Sequence, residues 1–188
     1  MRFAATPIDG LFEVFIEPAE DARGFFARTW CAEEFARRGL PSRFVQASVS
    51  RNREKGTLRG LHFQWPPSRE GKLVRCERGA VHDVVVDLRP ESPSYLQHFA
   101  VCLGQERANA IFIPPGVAHG FQTLEDDTQV FYMMTDVHAP ALADGFRWDD
   151  PAFGIDWPLQ VTIMSERDRA YPDFDAAAHA RRFLGEQS

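Results

Sequence analysis

Apolar segments of strand length recur along most of the chain, separated at short intervals by Gly, Pro, Asn and Asp. The clearest are Leu11–Ile16, Leu73–Cys76, Val81–Leu88, His98–Leu103, Ala110–Ile113, Gly120–Leu124 and Thr128–Met134. Val84-Val85-Val86 and Ile111-Phe112-Ile113 are rich in β-branched and aromatic side chains, which fit a pleated, half-buried surface. Short strands with regular turn signals predict a sandwich or barrel of antiparallel strands, an all-β core. The chain has 188 residues, 44% of them hydrophobic, with 16 Phe and 4 Trp, enough for one sizeable core but not for two large domains. A single domain over 1–188 is expected.

Two segments read as short peripheral helices. Thr29–Arg38 opens on Thr29 as a possible cap, carries Glu33-Glu34 early and Arg37-Arg38 late, and stops at Gly39, a polarity that suits the helix dipole. Ala176–Leu184 is Ala-rich with Arg181 and Arg182 near its end. The formal net charge of −6 provides no general field for nucleic acid or an anionic membrane, so neither is an expected partner. The N-terminal segment lacks a signal-peptide core, and no apolar run approaches the roughly 18 residues of a membrane span. Cys31, Cys76 and Cys102 are odd in number and lack metal-ligand spacing. Reduced, mostly buried thiols in a cytoplasmic protein are the expectation.

Two segments carry the chemistry. In Arg59-Gly60-Leu61-His62-Phe63-Gln64, regular strand alternation would put Arg59 and His62 on opposite faces, but a turn or bulge at Gly60 would bring both to one cavity. The plain alternative is an edge strand with a solvated Arg and a hydrogen-bonded His. Ile113-Pro114-Pro115-Gly116-Val117-Ala118-His119-Gly120-Phe121 has the PxGxxH-GF pattern of double-stranded β-helix barrels, with a tight corner at Pro115-Gly116 and His119 on the returning strand. A metal site in such a barrel needs an HxH pair and a Glu as well. The sequence offers only His62-Phe63-Gln64, so no metal is expected.

With these segments in view, the sequence resembles the cupin-fold dTDP-4-dehydrorhamnose 3,5-epimerase family. Besides the two just described, the resemblance rests on Asp21-Ala22-Arg23-Gly24-Phe25-Phe26, Lys72-Leu73-Val74-Arg75, the stretch from Asp83 to Arg89, Arg147-Trp148-Asp149-Asp150-Pro151 and Ser165-Glu166-Arg167-Asp168, all in family order. It implies a homodimeric jelly-roll barrel with short peripheral helices, acting without a cofactor on a nucleotide-linked 4-keto-6-deoxyhexose in rhamnose or other deoxysugar and polysaccharide synthesis. The chemistry is proton removal next to the C4 ketone and proton return from the other ring face, which needs a base, an acid and donors to the enolate oxygen.

By this resemblance His62 is the base, Asp168 orients it, and Tyr132 returns the proton. Lys72, helped by Arg59 and His119, stabilises the enolate. Arg23 and Arg59 would hold the pyrophosphate and Phe26 stack on the base, with Arg28, Gln46, Ser48, His138 and Arg167 as further substrate contacts. Residue by residue, plainer readings exist: Tyr132 as a core strand residue, Lys72 and Arg75 as exposed strand charges, Asp168 as a turn or cap. His82, His98 and His179 have no partner pattern and read as core or surface histidines.

The chain departs from the family pattern at Arg28, where a Glu is usual, at Ser48, where an Asn is usual, and at Ala143, which replaces an acidic residue. Val137-His138 stands in place of two tyrosines. These changes leave the acid-base set intact and alter the ligand surface. The default substrate is dTDP-4-dehydro-6-deoxy-D-glucose, giving dTDP-4-dehydro-L-rhamnose. The alternatives are a mono-epimerase on a GDP- or CDP-linked 4-keto sugar and a non-catalytic sugar-nucleotide-binding cupin.

Overall fold

The computed structural model describes residues 1–185, so the last three positions of the expected 1–188 domain lie outside the described residues. In chain order the strands are β1 (Arg2–Ala5), β2 (Phe12–Phe15), β3 (Ala19–Asp21), β4 (Gly24–Phe26), β5 (Gln46–Asn52), β6 (Leu58–Gln64), β7 (Lys72–Arg78), β8 (Ala80–Asp87), β9 (His98–Gly104), β10 (Asn109–Ile113), β11 (Val117–Thr123), β12 (Thr128–Met134) and β13 (Ala143–Gly145). The helices are α1 (Ala32–Ala36), α2 (Glu166–Arg169) and α3 (Ala176–Leu184). No helix among the described residues is long and apolar enough to cross a membrane.

Two antiparallel sheets face each other, one ordered β1-β2-β10-β7-β12-β5 and the other β13-β6-β11-β8-β9, while β3 and β4 form a separate hairpin. This is the expected jelly-roll sandwich. Strand alternation sorts the side chains. Val81 and Val85 of β8 and Val117 and Phe121 of β11 meet Val74, Cys76, Ile111 and Val130 of the opposing sheet in the central core. The remaining face of β6, β8 and β11 is apolar too: Leu61, Phe63, Val86 and Ala118 are buried beneath Phe146, Phe153, Phe174 and Phe183 of the C-terminal segment. Burial on both faces explains why β8 and β11 read as nearly continuous apolar runs.

The seven apolar runs all became strands. β5 and β6 had no such run, because β5 is a polar edge strand and β6 carries the site residues on its inner face. The edge-strand reading of the Arg59–Gln64 segment is corrected: β6 lies between β13 and β11. The helix expected over Thr29–Arg38 is shorter than expected. It starts after Cys31, whose side chain makes no cap bond, and Thr29 is not its cap. What holds it is Phe35, fully buried against Phe3, Phe44 and Phe112, so tertiary packing overrides the capping signal. α3 has the expected bounds, capped by Asp175 on the N–H groups of Ala177 and Ala178 and closed by Gly185 at φ 73°.

Of the three free thiols, Cys76 is buried and its pKa is pushed up to about 11 by burial, whereas Cys31 and Cys102 are only half-buried. Asp87 is fully buried at the end of β8. Burial alone would raise its pKa, but hydrogen bonds from Arg89, Ser92 and Ser94 outweigh it and hold the carboxyl below its ordinary value. Of the unassigned histidines, His98 meets the Phe153 carbonyl at 2.8 Å through Nδ1. His179 of α3 sits among Phe63, Trp65, Phe146, Phe174 and Phe183, its Nδ1 3.0 Å from the Tyr95 hydroxyl.

Burial, with Arg182 adding to it, pushes the His179 pKa down from 6.5 to about 4. Between those values the unfolded chain binds a proton that the folded chain refuses, so stability is lost as pH falls from 6.5 toward 4. The stability of the protein relative to a His179→Phe variant should fall over that interval, by up to about 3 kcal/mol, in urea titrations at each pH.

Candidate active site

Between β6 and β11 the register slips. His62 pairs with His119 and Arg59 with Phe121, leaving Gly60 and Leu61 of β6 opposite Gly120 alone. This is a β-bulge, and because residues directly opposite share a face, it turns Arg59 and His62 to the same inner side as His119. Two glycines permit it. Gly60 has φ 136°, and a Cβ there would lie 2.5 Å from the Gly120 Cα, while one on Gly120 would lie 2.8 Å from the Arg59 carbonyl oxygen.

The bulge opens on a cavity of about 530 Å³ between the two sheets, lined by His62, Gln64, Lys72, Tyr132, Gln46, Ser48, Met134, His138, Ala143, Asp144, Arg167, Phe63 and Glu70. On one side stands a His–carboxylate pair. His62 Nε2 meets Asp168 Oδ1 at 2.8 Å, with the imidazole 43% exposed and the carboxyl 5%. Ser165 caps α2 by accepting from the Asp168 N–H, and the Gly60 N–H donates to Asp168 Oδ2. Burial alone would raise the Asp168 pKa. The hydrogen bond and charge of His62, with the Gly60 and Ser165 bonds, outweigh it and keep the group an anion. A carboxylate there accepts Nε2–H, which leaves the lone pair on Nδ1.

Across the cavity Tyr132 projects from β12. Burial first, and the nearby Asp83 second, push its pKa well up, while Arg59 works in the opposite direction. The phenol therefore keeps its proton, and the Arg59 guanidinium eases formation of the anion. Lys72 opens β7 at the cavity wall, its Nζ 3.1 Å from Glu70, both largely buried. A second His–carboxylate pair lies deeper. His119 Nε2 meets Asp83 Oδ2 at 2.8 Å, the carboxyl being fully buried, and the His119 ring is edge-on to Tyr132 at 6.1 Å.

The structure thus brings together His62, Asp168, Tyr132, Lys72, Gln46, Ser48, His138 and Arg167, with His119 edge-on to Tyr132. Gln46 uses its Oε1 to accept the His138 N–H, so it also fixes the loop after β12. Arg59 is held at the edge of the group by Asn52, through a 2.7 Å bond from Nε to Oδ1. Arg23, Phe26 and Arg28 stand apart. Arg23 and Phe26 lie on the exposed β3–β4 hairpin, with Arg23 paired to Asp21 and Phe26 80% exposed. Arg28 faces Glu34 at 3.7 Å. None of the three lines the cavity of its own chain.

Sequence reasoning gave no role to Asp83, Glu70 or Asn52. The signal for Asp83 was present: a carboxylate inside the apolar run Val81–Val86 must find a buried partner. Glu70 and Asn52 carried no such signal, since their neighbours in sequence are polar. Among the described residues no group of three or more His, Cys, Asp or Glu side chains is placed to hold a metal ion.

A family model described as dTDP-4-dehydrorhamnose 3,5-epimerase matches residues 5–176. A dTDP-4-dehydrorhamnose 3,5-epimerase of Methanothermobacter thermautotrophicus is 44% identical over 171 residues, covering 89% of this chain and 91% of that one. A dTDP-4-dehydrorhamnose 3-epimerase of Streptomyces niveus is 36% identical, covering 90% of this chain and 82% of that one. Among solved structures, the Mycobacterium tuberculosis rmlC epimerase superposes with a TM-score of 0.90 at 31% identity over the whole of both chains. NovW, a 4-keto-6-deoxy sugar epimerase from Streptomyces spheroides, gives 0.89 at 34% identity, covering 99% of this chain and 92% of that one. A jelly roll whose inner face sets a His–Asp pair against a partly buried tyrosine, matched by the family model along most of its length, belongs to the dTDP-4-dehydrorhamnose 3,5-epimerase family.

Proposed function

We propose that the chain, acting as one domain over 1–188, epimerises dTDP-4-dehydro-6-deoxy-D-glucose at C3 and C5 to dTDP-4-dehydro-L-rhamnose. The observation that carries this reading is the His62–Asp168 pair and the Tyr132 phenol standing across one cavity, a base and an acid with room for a sugar ring between them. His62 Nδ1 takes the proton from the carbon next to the C4 ketone. The C–H electron pair moves into the ring and onto the ketone oxygen, giving an enolate. Lys72 donates to that oxygen, and Asp168 stabilises the imidazolium. Tyr132 then gives its proton to the same carbon from the opposite face, and both groups reset by exchange with solvent. The cycle is redox-neutral. Arg167, Gln46, Ser48 and His138 at the cavity wall suit polar contacts to the nucleotide.

A second reading, inversion at C3 alone, is favoured by the name of the 36% identical Streptomyces niveus relative. Incubation in heavy water with His62→Ala as reference separates the two by NMR. Deuterium at both C3 and C5 that disappears in the variant is the expected result, and label at C3 only would reverse the choice. A folded protein that exchanges neither carbon would defeat both readings.

The active form we propose is a homodimer, working in the cytoplasm, where three free thiols suit the reducing conditions. Phe25 and Phe26 are 60% and 80% exposed at the hairpin, and Val49 on edge strand β5 and Val45 just before it are exposed. Apolar surface of that kind favours a second copy. If Arg23 and Phe26 hold the nucleotide, they must do so in the neighbouring chain's cavity, since they do not line their own. Mixing equal amounts of His62→Ala and Arg23→Ala chains after unfolding and refolding should then regenerate intact sites, about a quarter of the wild-type number in random two-fold pairing. Activity no higher than the sum of the separate variants would count against the shared site.

A further inference from the structure

In the ladder between β13 and β6, Gly145 stands directly opposite His62. A Cβ on Gly145 would collide with the Leu61 carbonyl oxygen and lie 2.6 Å from two carbons of the Tyr171 ring, so the missing side chain admits both the neighbouring strand and that ring. Tyr171 follows Asp168 by three residues, just beyond α2. Its ring meets the His62 imidazole edge-to-face, with centroids 6.5 Å apart and planes at 63°. The Arg167 guanidinium carbon, whose residue lines the cavity, lies 5.8 Å from the centre of the same ring. The Tyr171 hydroxyl is buried and has no hydrogen-bond partner among the described residues.

Asp168 fixes one end of the imidazole, at Nε2, but a single hydrogen bond leaves the ring free to tilt about it. His62 is 43% exposed on its cavity side, so little else restrains that tilt. We propose that Tyr171 is a positioning residue for the base, its ring rather than its hydroxyl holding His62 with Nε2 on Asp168 and Nδ1 toward the substrate. The inference rests on His62 being the base. Because α2 carries Asp168 and the turn after it carries Tyr171, one short segment sets both the hydrogen-bond acceptor behind the imidazole and the surface beside it.

The test is steady-state kinetics and solvent-deuterium exchange on Tyr171→Phe, Tyr171→Leu and Tyr171→Ala, with His62→Ala as the reference. The phenylalanine variant keeps the ring and should retain wild-type kcat. The leucine and alanine variants lose the flat edge, and each should lose about tenfold in kcat with KM little changed, since a misaligned base slows the proton transfer more than it weakens binding. Leucine keeps the core filled if alanine fails to fold. The inference is overturned if phenylalanine is as slow as leucine, if leucine matches the wild type, or if the loss falls wholly on KM. A His62→Ala protein that exchanges at the wild-type rate would instead overturn the assignment of the base, a separately readable failure.

Discussion

The bulge at Gly60 is the constraint on which the site depends. A regular strand of this sequence would turn Arg59 away from the side that His62 faces; with the bulge His62 lines the cavity and Arg59, which does not line it, stays on the same face, bonded to Asn52. Inserting one residue opposite Gly120 keeps both on the inner face while Leu61 and Phe63 stay in the outer apolar layer. The same bulge presents the Gly60 N–H to Asp168, so the backbone irregularity that aligns His62 also helps to keep its partner ionised. Glycine at both 60 and 120 is needed because the two backbones approach more closely than any Cβ would allow.

From that alignment follows a division of charge across the cavity. Asp168 and Asp83 are both buried, and each meets a histidine at 2.8 Å, which lessens the cost of burying a carboxylate. The pair with the more exposed imidazole is the one at the cavity. The deeper pair sits by Tyr132, where Asp83 and burial keep the phenol protonated. His62 and Tyr132 are thereby held on opposing sheets, and the rigidity of a packed sandwich maintains their separation.

The C-terminal segment both covers the outer face of one sheet and reaches the cavity. Its aromatic residues bury the outer face of β6, β8 and β11, and the price of removing that layer would be a large exposed apolar surface. In crossing back over the sheet it delivers Asp168, Arg167 and Tyr171 to His62. Arg182 of α3 and the Trp65 indole both bond to the Asp144 carboxylate, tying the helix to the strand beside His62.

What the sequence determined by itself was whatever local chemistry dictates. Apolar runs at strand length produced seven of the strands, and the caps at Asp175 and Gly185 produced α3, because the side chains concerned act within a few residues of their own backbone. His62, Asp168, Tyr132 and Lys72 were singled out through family resemblance, and the geometry gathers His62, Tyr132 and Lys72 at one cavity with Asp168 bonded to His62. Local chemistry could not show that Asp168, 106 residues from His62, meets it, or that Asp83 is spoken for by His119. Nor could it show that Thr29 would give up its cap once Phe35 was packed, or that Arg23 and Phe26 lie outside their own chain's cavity. Those outcomes depend on sheet pairing and register between distant segments, where each contact is decided by the burial of the whole rather than by the residues on either side of it.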